Sequence, residues 1–465
     1  MSVKKNFTYN VLYQILTIAI PIFTTPYISR TLGADALGQF SYAYSVTYYF
    51  ILFAMLGVNN YGSRTIAAVR DDKNELSKTF WEIYVFQILL SIFSAIFYIV
   101  YIEFFCEDKL IGYLMVIYLI GTALDINWLF FGLEKFKITV TRNAIIKIAT
   151  VVLIFLFIKI PEDVYLYTIF YAGGMLVSQL ILWTFLSRYI KFTHITIHGV
   201  IRHIKPNVVL FIPVIAISLY KTMDKIMLGN LATTVEVGYY TSCEKLLAIP
   251  NGFITALGTV VMPRVSNLSA NKQDDKARDF FYRSIIFSIA CTSVMSFGIM
   301  GIAREFVPVF YGKGFDECIA IFQFLMPSCL FVGIANVVRT QYLIPYKKDK
   351  TYIISTFLGA LVNLIANYIL IPKYNAVGAA IGTLLAEAIV CIYQSVITYK
   401  QTGIILSVLR GFPFVIMALI MYFFIFNLNI SIGSIIITLI IKIIIGGALF
   451  CIPAYIYLRK FLFKN

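Results

Sequence analysis

Lys221, Asp224 and Lys225 stand at i, i+3 and i+4 inside a long apolar run, a spacing that puts all three on one helical face. Glu244 and Lys245 sit side by side in the next apolar run, ahead of Pro250. Asp125, Lys147, Glu387 and Lys442 are each isolated among apolar neighbours. An ionisable group at the centre of a bilayer costs roughly 2.5–3.5 kcal/mol or more unless paired or hydrated, so such residues mark cavities, ion pairs or pathways. The chemistry on offer is charge compensation. A face with two lysines and one aspartate can pair internally and stay net positive. Adjacent helical residues point about 100° apart, so only one of Glu244 and Lys245 can aim squarely at a central cavity while the other meets a neighbouring helix. Lys147, Lys221 and Lys442 also have stems long enough to snorkel, and Lys442 would otherwise line a lipid-facing groove.

Bond-making chemistry has no visible equipment. The sequence lacks a Walker loop, H-E-x-x-H, G-x-S-x-G and a Rossmann glycine pattern, which argues against an enzyme and against a nucleotide-driven pump. His194 and His198 have the i, i+4 spacing of a metal pair, but with His203 they lie in one basic connector without cysteine or carboxylate nearby. They read as solvated surface, and no metal or cofactor is expected. Seven cysteines without a CxxC read as small buried hydrophobes.

The elements that must position these residues are membrane helices. Of 465 residues, 60% are hydrophobic and 13% charged, with a mean hydropathy of +0.85, against roughly 45–50% and 25% for a soluble domain. That excludes a water-soluble globule. Apolar runs give fourteen candidate spans, near 9–29, 39–62, 80–102, 110–132, 143–160, 164–187, 207–229, 237–262, 283–303, 317–338, 351–371, 376–398, 411–428 and 433–457. The first run is read as a span, not a removable signal.

The net charge of +15 sorts by side. With both termini inside, the inner segments hold 27 of the 38 Lys and Arg, the outer loops hold six, and five lysines fall within spans. This places both termini in the cytoplasm by the positive-inside rule. Arg30 ends the first span on the outside and Arg64 the second on the inside; each is a headgroup contact or an interface anchor. No loop is long enough to fold as a catalytic domain. Residues 188–206, where Ile190, Phe192, Ile195, Ile197, Val200, Ile201 and Ile204 alternate with basic residues, read as an amphipathic connector on the membrane.

The chain also repeats itself after about 200 residues. Leu32-Gly33 followed by Gly38-Gln39-Phe40-Ser41-Tyr42 matches Leu228-Gly229 followed by Gly238-Tyr239-Tyr240-Thr241-Ser242, and Asp71-Asp72-Lys73 matches Asp274-Asp275-Lys276. Six helices separate the copies, an even number, so the repeat is parallel. The expected architecture is a polytopic all-α membrane protein. A six-helix lobe covers 1–187, the connector 188–206, a second six-helix lobe 207–400, and two further helices 411–458. Pro21 and Pro26, and Pro206 and Pro213, fall in the first helix of each lobe, where bending suits alternating access.

Asp224-Lys225-Ile226-Met227-Leu228-Gly229, Gly238-Tyr239-Tyr240 and the stretch from Ile371-Pro372-Lys373-Tyr374-Asn375 to Gly382-Thr383 resemble the polysaccharide-export branch of the multidrug/oligosaccharidyl-lipid/polysaccharide exporter superfamily. The segment Gly238 to Ser266, with Glu244-Lys245, Pro250 and Pro263, is similar to the matching helix of bacterial lipid II flippases. That resemblance makes Lys245 a headgroup cation; the charge of a diphosphate calls for Lys225 beside it, with Lys221, Arg30 and Arg64 as further candidate contacts. Asp224, Glu244, Glu387 and Asp125 are candidates for ion coupling or charge pairing. Lipid II flippases also carry an arginine–aspartate pair in the first helix, where this chain has Phe23-Thr24-Thr25. The departure favours the oligosaccharide-unit branch. The resemblance implies an undecaprenyl-diphosphate-linked oligosaccharide moved across the bacterial cytoplasmic membrane, and a lipid-tail groove at the last two helices, on which Lys442 would lie. It further implies membrane lipids, a polysaccharide polymerase and glycosyltransferases as partners, and no nucleic acid. Other readings are a lipid II flippase, a cation-coupled drug exporter, a membrane glycan polymerase or ligase, and a non-transporting scaffold.

Overall fold

A computed structural model describes residues 3–271, 273–429 and 433–459. Lys272, Lys460 and Lys464, counted above among the inner basic residues, lie outside them. The described residues are mostly helical and contain no strand. In chain order the helices are α1 (Val3–Met55), α2 (Val58–Val69), α3 (Lys73–Phe105), α4 (Lys109–Ala123), α5 (Asn127–Gly132), α6 (Phe136–Phe157), α7 (Val164–Leu186) and α8 (Ile197–Ile201). There follow α9 (Ile204–Leu231), α10 (Thr234–Ala270), α11 (Asp274–Phe310), α12 (Glu317–Leu325), α13 (Ser328–Val338), α14 (Asp349–Thr402), α15 (Ile404–Asn427) and α16 (Ile435–Tyr457).

Among the described residues twelve helical segments are long and apolar enough to cross a membrane. Two of them are double. α1 breaks at Gly33 (φ 74°, ψ 178°) and α14 at Asn375 (φ 49°, ψ −130°), each leaving a span-length helix on both sides. Counting both halves gives the fourteen spans expected from hydropathy, and the chain is an all-α multi-pass membrane protein. Helix starts are set locally: the Asp72 carboxylate accepts from the Asn74 and Glu75 backbone N–H groups, and Asp108 from Leu110 and Ile111.

Gly33 tolerates its left-handed φ because it lacks a Cβ. Asn375 does not have that freedom, and a non-glycine residue in a sparsely populated region stores about 1–3 kcal/mol. Its side chain is exposed, so substitution there reports the backbone alone. Asn375→Gly is expected to hold or raise thermal stability in detergent, and Asn375→Val to cost about 1–3 kcal/mol. Equal melting temperatures for the two variants would contradict the strain.

The chain divides into two compact units, Met1–Ile226 and Met227–Asn465. In the first, α4 packs on α7, α1 on α3, α4 and α6, and α2 on α5. Its core gathers Val58, Ile66, Phe80, Ile83, Trp128 and Leu182, all fully buried. Gly62 makes room for Trp128, whose ring carbon Cε3 would stand 2.8 Å from an added Cβ. The division falls inside α9, beyond the connector where lobes were expected to part. The early part of α9 packs tightly on the chain just after α1: a Cβ on Gly57 would meet the Asn207 carbonyl at 2.8 Å, and the Phe53 and Phe211 rings lie 5.6 Å apart.

The second unit is built along α11, which runs beside α15 and touches α13 and α16. Phe281, Ile285, Ile289, Val337, Val338 and Leu343 form a core within it. The two last helices thus belong to this unit.

The connector carries little helix. Only α8, five residues long, is helical between Arg188 and His203. Phe192 and Ile197 are exposed while Ile190 is buried, and the segment is stitched to α3. Trp81 Nε1 donates to the Lys191 carbonyl (3.0 Å), and the Lys191 N–H donates to Ser77 Oγ (3.1 Å).

Candidate functional site

Lys221, Asp224 and Lys225 share α9 as the spacing required, but burial separates them. Asp224 is 2% exposed, Lys225 is half-buried and Lys221 is exposed. The Tyr49 hydroxyl, which donates to the Ser218 carbonyl (3.2 Å), stands within electrostatic reach of Asp224. All of these belong to the first unit. Glu244 and Lys245 are half-buried on α10 in the second unit, and Glu387 is half-buried on the second half of α14. Arg30 and Arg64 are exposed, on α1 and α2. Lys147 Nζ reaches Thr17 Oγ1 at 3.4 Å.

Asp125 lies within a buried polar network of the first unit. It lies in the turn between α4 and α5, and its Oδ1 accepts from Asn127 N (2.8 Å) and Asn127 Nδ2 (2.7 Å). Asn127 Oδ1 in turn accepts from Arg142 Nη2 (2.9 Å), and Arg142 Nη1 donates to the Ser178 carbonyl (2.8 Å). Gln87 closes the other side, donating to the Asp125 carbonyl (2.9 Å) and accepting from Trp128 Nε1 (2.9 Å).

Lys442 departs from expectation. It is 1% exposed and its Nζ lies 2.6 Å from Glu305 Oε1 on α11. Its neighbours Ile440, Ile443 and Ile444 are the exposed ones. A desolvated ammonium in a helix so apolar turns to the nearest carboxylate, so Lys442 does not lie on a lipid-facing groove. His203 is likewise not solvated surface. It is buried, with Nδ1 2.7 Å from the Tyr61 hydroxyl and Nε2 3.3 Å from Glu82 Oε2. Arg202 Nη2 donates to the same Glu82 oxygen at 2.6 Å. His194 and His198 are exposed, and among the described residues no three His, Cys, Asp or Glu gather as for a metal.

The first unit also carries an aromatic ladder that runs from buried Phe40 and Tyr167 to exposed Tyr171. Phe40, Tyr44 and Tyr48 follow one another at helical spacing on α1, and Phe40 and Tyr44 meet Tyr118 of α4 and Tyr167 and Tyr171 of α7, with Phe40–Tyr167 centroids 4.7 Å and Tyr44–Tyr171 centroids 5.5 Å apart. In the loops outside the spans, Arg70 beside Glu134 (2.7 Å) holds that carboxyl below its ordinary range.

Residues 3–269 match the family model described as polysaccharide biosynthesis protein. The chain belongs to that family. Within this polysaccharide biosynthesis family, the chain is 24% identical over 403 residues to a protein of Escherichia coli (strain K12) named as an O-antigen transporter, covering 84% of this chain and 95% of the relative. A protein of Shigella dysenteriae with the same name is 26% identical over 398 residues, covering 84% and 98%. Among solved structures, a lipid II flippase in an inward closed conformation superimposes with a TM-score of 0.73 at 17% identity, over 97% of this chain and all of that one. At that identity the likeness concerns the fold.

Three charged residues of this family member escaped the reading of its sequence: Glu82, Arg142 and Glu305. Glu82 was legible by the same criterion as Asp125, an acid inside an apolar run. Arg142 and Glu305 fall within a residue or two of the assigned span edges, where they count as loop charges.

Proposed function

We propose that this chain is a flippase, not an enzyme, that moves an undecaprenyl-diphosphate-linked oligosaccharide repeat unit from the inner to the outer leaflet of a bacterial cytoplasmic membrane. The observation that carries the reading is a match along nearly the whole length of relatives named for O-antigen transport. Charge supplies the physical side. A lipid diphosphate entering a low-dielectric space needs counter-cations, and Lys225 and Lys245 are lysines that hydropathy places inside spans. They bind the diphosphate, with Lys221, Arg30 and Arg64 as outlying contacts, and the headgroup crosses by alternating access. Asp224, Glu244 and Glu387 are the carboxylates available to couple movement to an ion gradient. Both termini lie in the cytoplasm, and the lipid tail stays in the bilayer beside the two last helices.

The test is movement of a fluorescent undecaprenyl-diphosphate oligosaccharide in proteoliposomes. Wild type is expected to expose the headgroup to a membrane-impermeant reagent, and Lys225→Ala and Lys245→Ala each to slow this about tenfold at equal protein content, which corresponds to about 1.4 kcal/mol. Wild-type rates in both variants would overturn the assignment of the cations. No movement of the lipid by the wild type, with movement of lipid II or of a cationic drug instead, would overturn the substrate.

A further inference from the structure

The second unit holds a pocket of about 360 Å³ at the basic-loop ends of α11 and α14, lined by Asp274, Arg278, Gln341, Tyr342, Tyr346 and Lys400 among others. Three elements meet there. α11 presents Asp274, Ala277, Arg278 and Phe281, which lie on one helical face; α14 contributes its last turn; and the wide π turn Arg339–Leu343 after α13 brings in Gln341. A single π turn inside a helix is rare and often accompanies a functional site.

Gln341 is the informative residue. It is 2% exposed, yet neither its amide nitrogen nor its amide oxygen has a hydrogen-bond partner. A buried amide left unpaired on both sides is expensive, and here the residue that carries it lines the pocket. The rim above it is cationic. The Arg278 guanidinium spends one donor on the Gln401 carbonyl (3.0 Å), out of five it can offer, and Lys400 is exposed. The one acid of the pocket, Asp274, accepts from the Tyr346 hydroxyl (2.6 Å), so the rim is net positive. The Tyr342 and Tyr346 rings stack at 4.8 Å and wall one side.

We infer that this pocket binds a glycerol phosphate headgroup, the phosphate held by Arg278 and Lys400 and the glycerol hydroxyls by the donor and acceptor of the Gln341 amide. Anionic phosphatidylglycerol in the adjoining leaflet carries that chemistry; a soluble glycerol phosphate carries it too. A choline headgroup does not, having a fixed cation and no hydroxyl. The repeat supplies an internal comparison. Asp71-Asp72-Lys73 aligns with Asp274-Asp275-Lys276, so Glu75 takes the place of Arg278, and the first unit's pocket is lined by Asp72, Glu75, Lys78 and Lys191 with the connector residues Phe192 and Thr193. There Asp72 and Glu75 offset Lys78 and Lys191, so of these two pockets the glycerol phosphate is assigned to the one in the second unit. The inference stands apart from the flippase reading.

The test is native mass spectrometry of the full-length protein in detergent, titrated with dioleoylphosphatidylglycerol, dioleoylphosphatidylcholine or glycerol 3-phosphate. One phosphatidylglycerol is expected to bind at least tenfold more tightly than phosphatidylcholine. Arg278→Ala with Lys400→Ala should weaken it about tenfold, and Gln341→Leu, which changes no charge, should weaken it comparably, while Lys350→Ala in the first turn of α14 leaves it unchanged. Competition by glycerol 3-phosphate at equal concentration assigns the ligand to a soluble source, and failure to compete assigns it to the lipid. Equal binding of the two lipids, or equal losses in Lys350→Ala and in the pocket variants, would overturn the site.

Discussion

Lys442→Ala is expected to lower the unfolding free energy in detergent by about 3–5 kcal/mol, because it strips the counter-charge from a buried carboxylate. The pair has little solvent to fall back on. Lys442 is 1% exposed, the Nζ–Oε1 distance is 2.6 Å, and Glu305 Oε2 is already buried without a partner. Lys442→Met keeps the stem and isolates the charge, so it should cost nearly as much as alanine. Glu305→Gln on the Lys442→Met background should return most of the loss, since a neutral pair removes the uncompensated charge. The double-mutant cycle is the measurement. Additive losses from the two single variants would show that the two groups are not coupled in the folded protein.

That pair also shows how far the sequence could be read. Hydropathy located the spans found among the described residues, because about 20 apolar residues in succession have few other solutions, and it located Lys442 as a charge in one of them. It could not give the direction in which the side chain points. Ile440, Ile443 and Ile444 face outward and Lys442 inward, a rotation that an almost uniformly apolar helix does not encode in its periodicity. The partner was hidden for a second reason: Glu305 lies just past a span edge, where charge counting assigns a residue to a loop. The connector reads differently. Its apolar residues recur at Ile190 and Phe192 and again at Ile195 and Ile197, a step of two that suits extended chain better than helix, and extended chain is what hydrogen-bonds Lys191 to Trp81 and Ser77. The lysines of the candidate site were legible for the simplest reason, the cost of charge in a bilayer. What completes them in three dimensions, the burial of Asp224 beside an exposed Lys221, depends on helix rotation. Gln341 carried no signal at all, since a polar residue near a basic loop looks like any other until a π turn buries it.

Arg142→Ala is the second large effect, expected to cost about 3–5 kcal/mol, with Arg142→Lys recovering less than half. Arg142 is 5% exposed and ties α6 to α7 through the Ser178 carbonyl and to the α4–α5 turn through Asn127. Removing it orphans acceptors on two elements, each worth about 1–3 kcal/mol when buried. It also takes away the cation that acts on buried Asp125. Lysine restores the charge and not the geometry. Its three donors radiate from one nitrogen, whereas the guanidinium sends Nη1 and Nη2 to partners on different elements. The network continues through Gln87 to Trp128, which packs against Gly62, so the loss should propagate to α2 and α5. Tryptophan fluorescence with quencher access at Trp128 can follow that propagation beside the thermal melt. A melting temperature for Arg142→Ala within a degree of wild type would mean that Asp125 and Asn127 hold the turn without it. Full recovery in Arg142→Lys would mean that charge, not the forked geometry, does the holding.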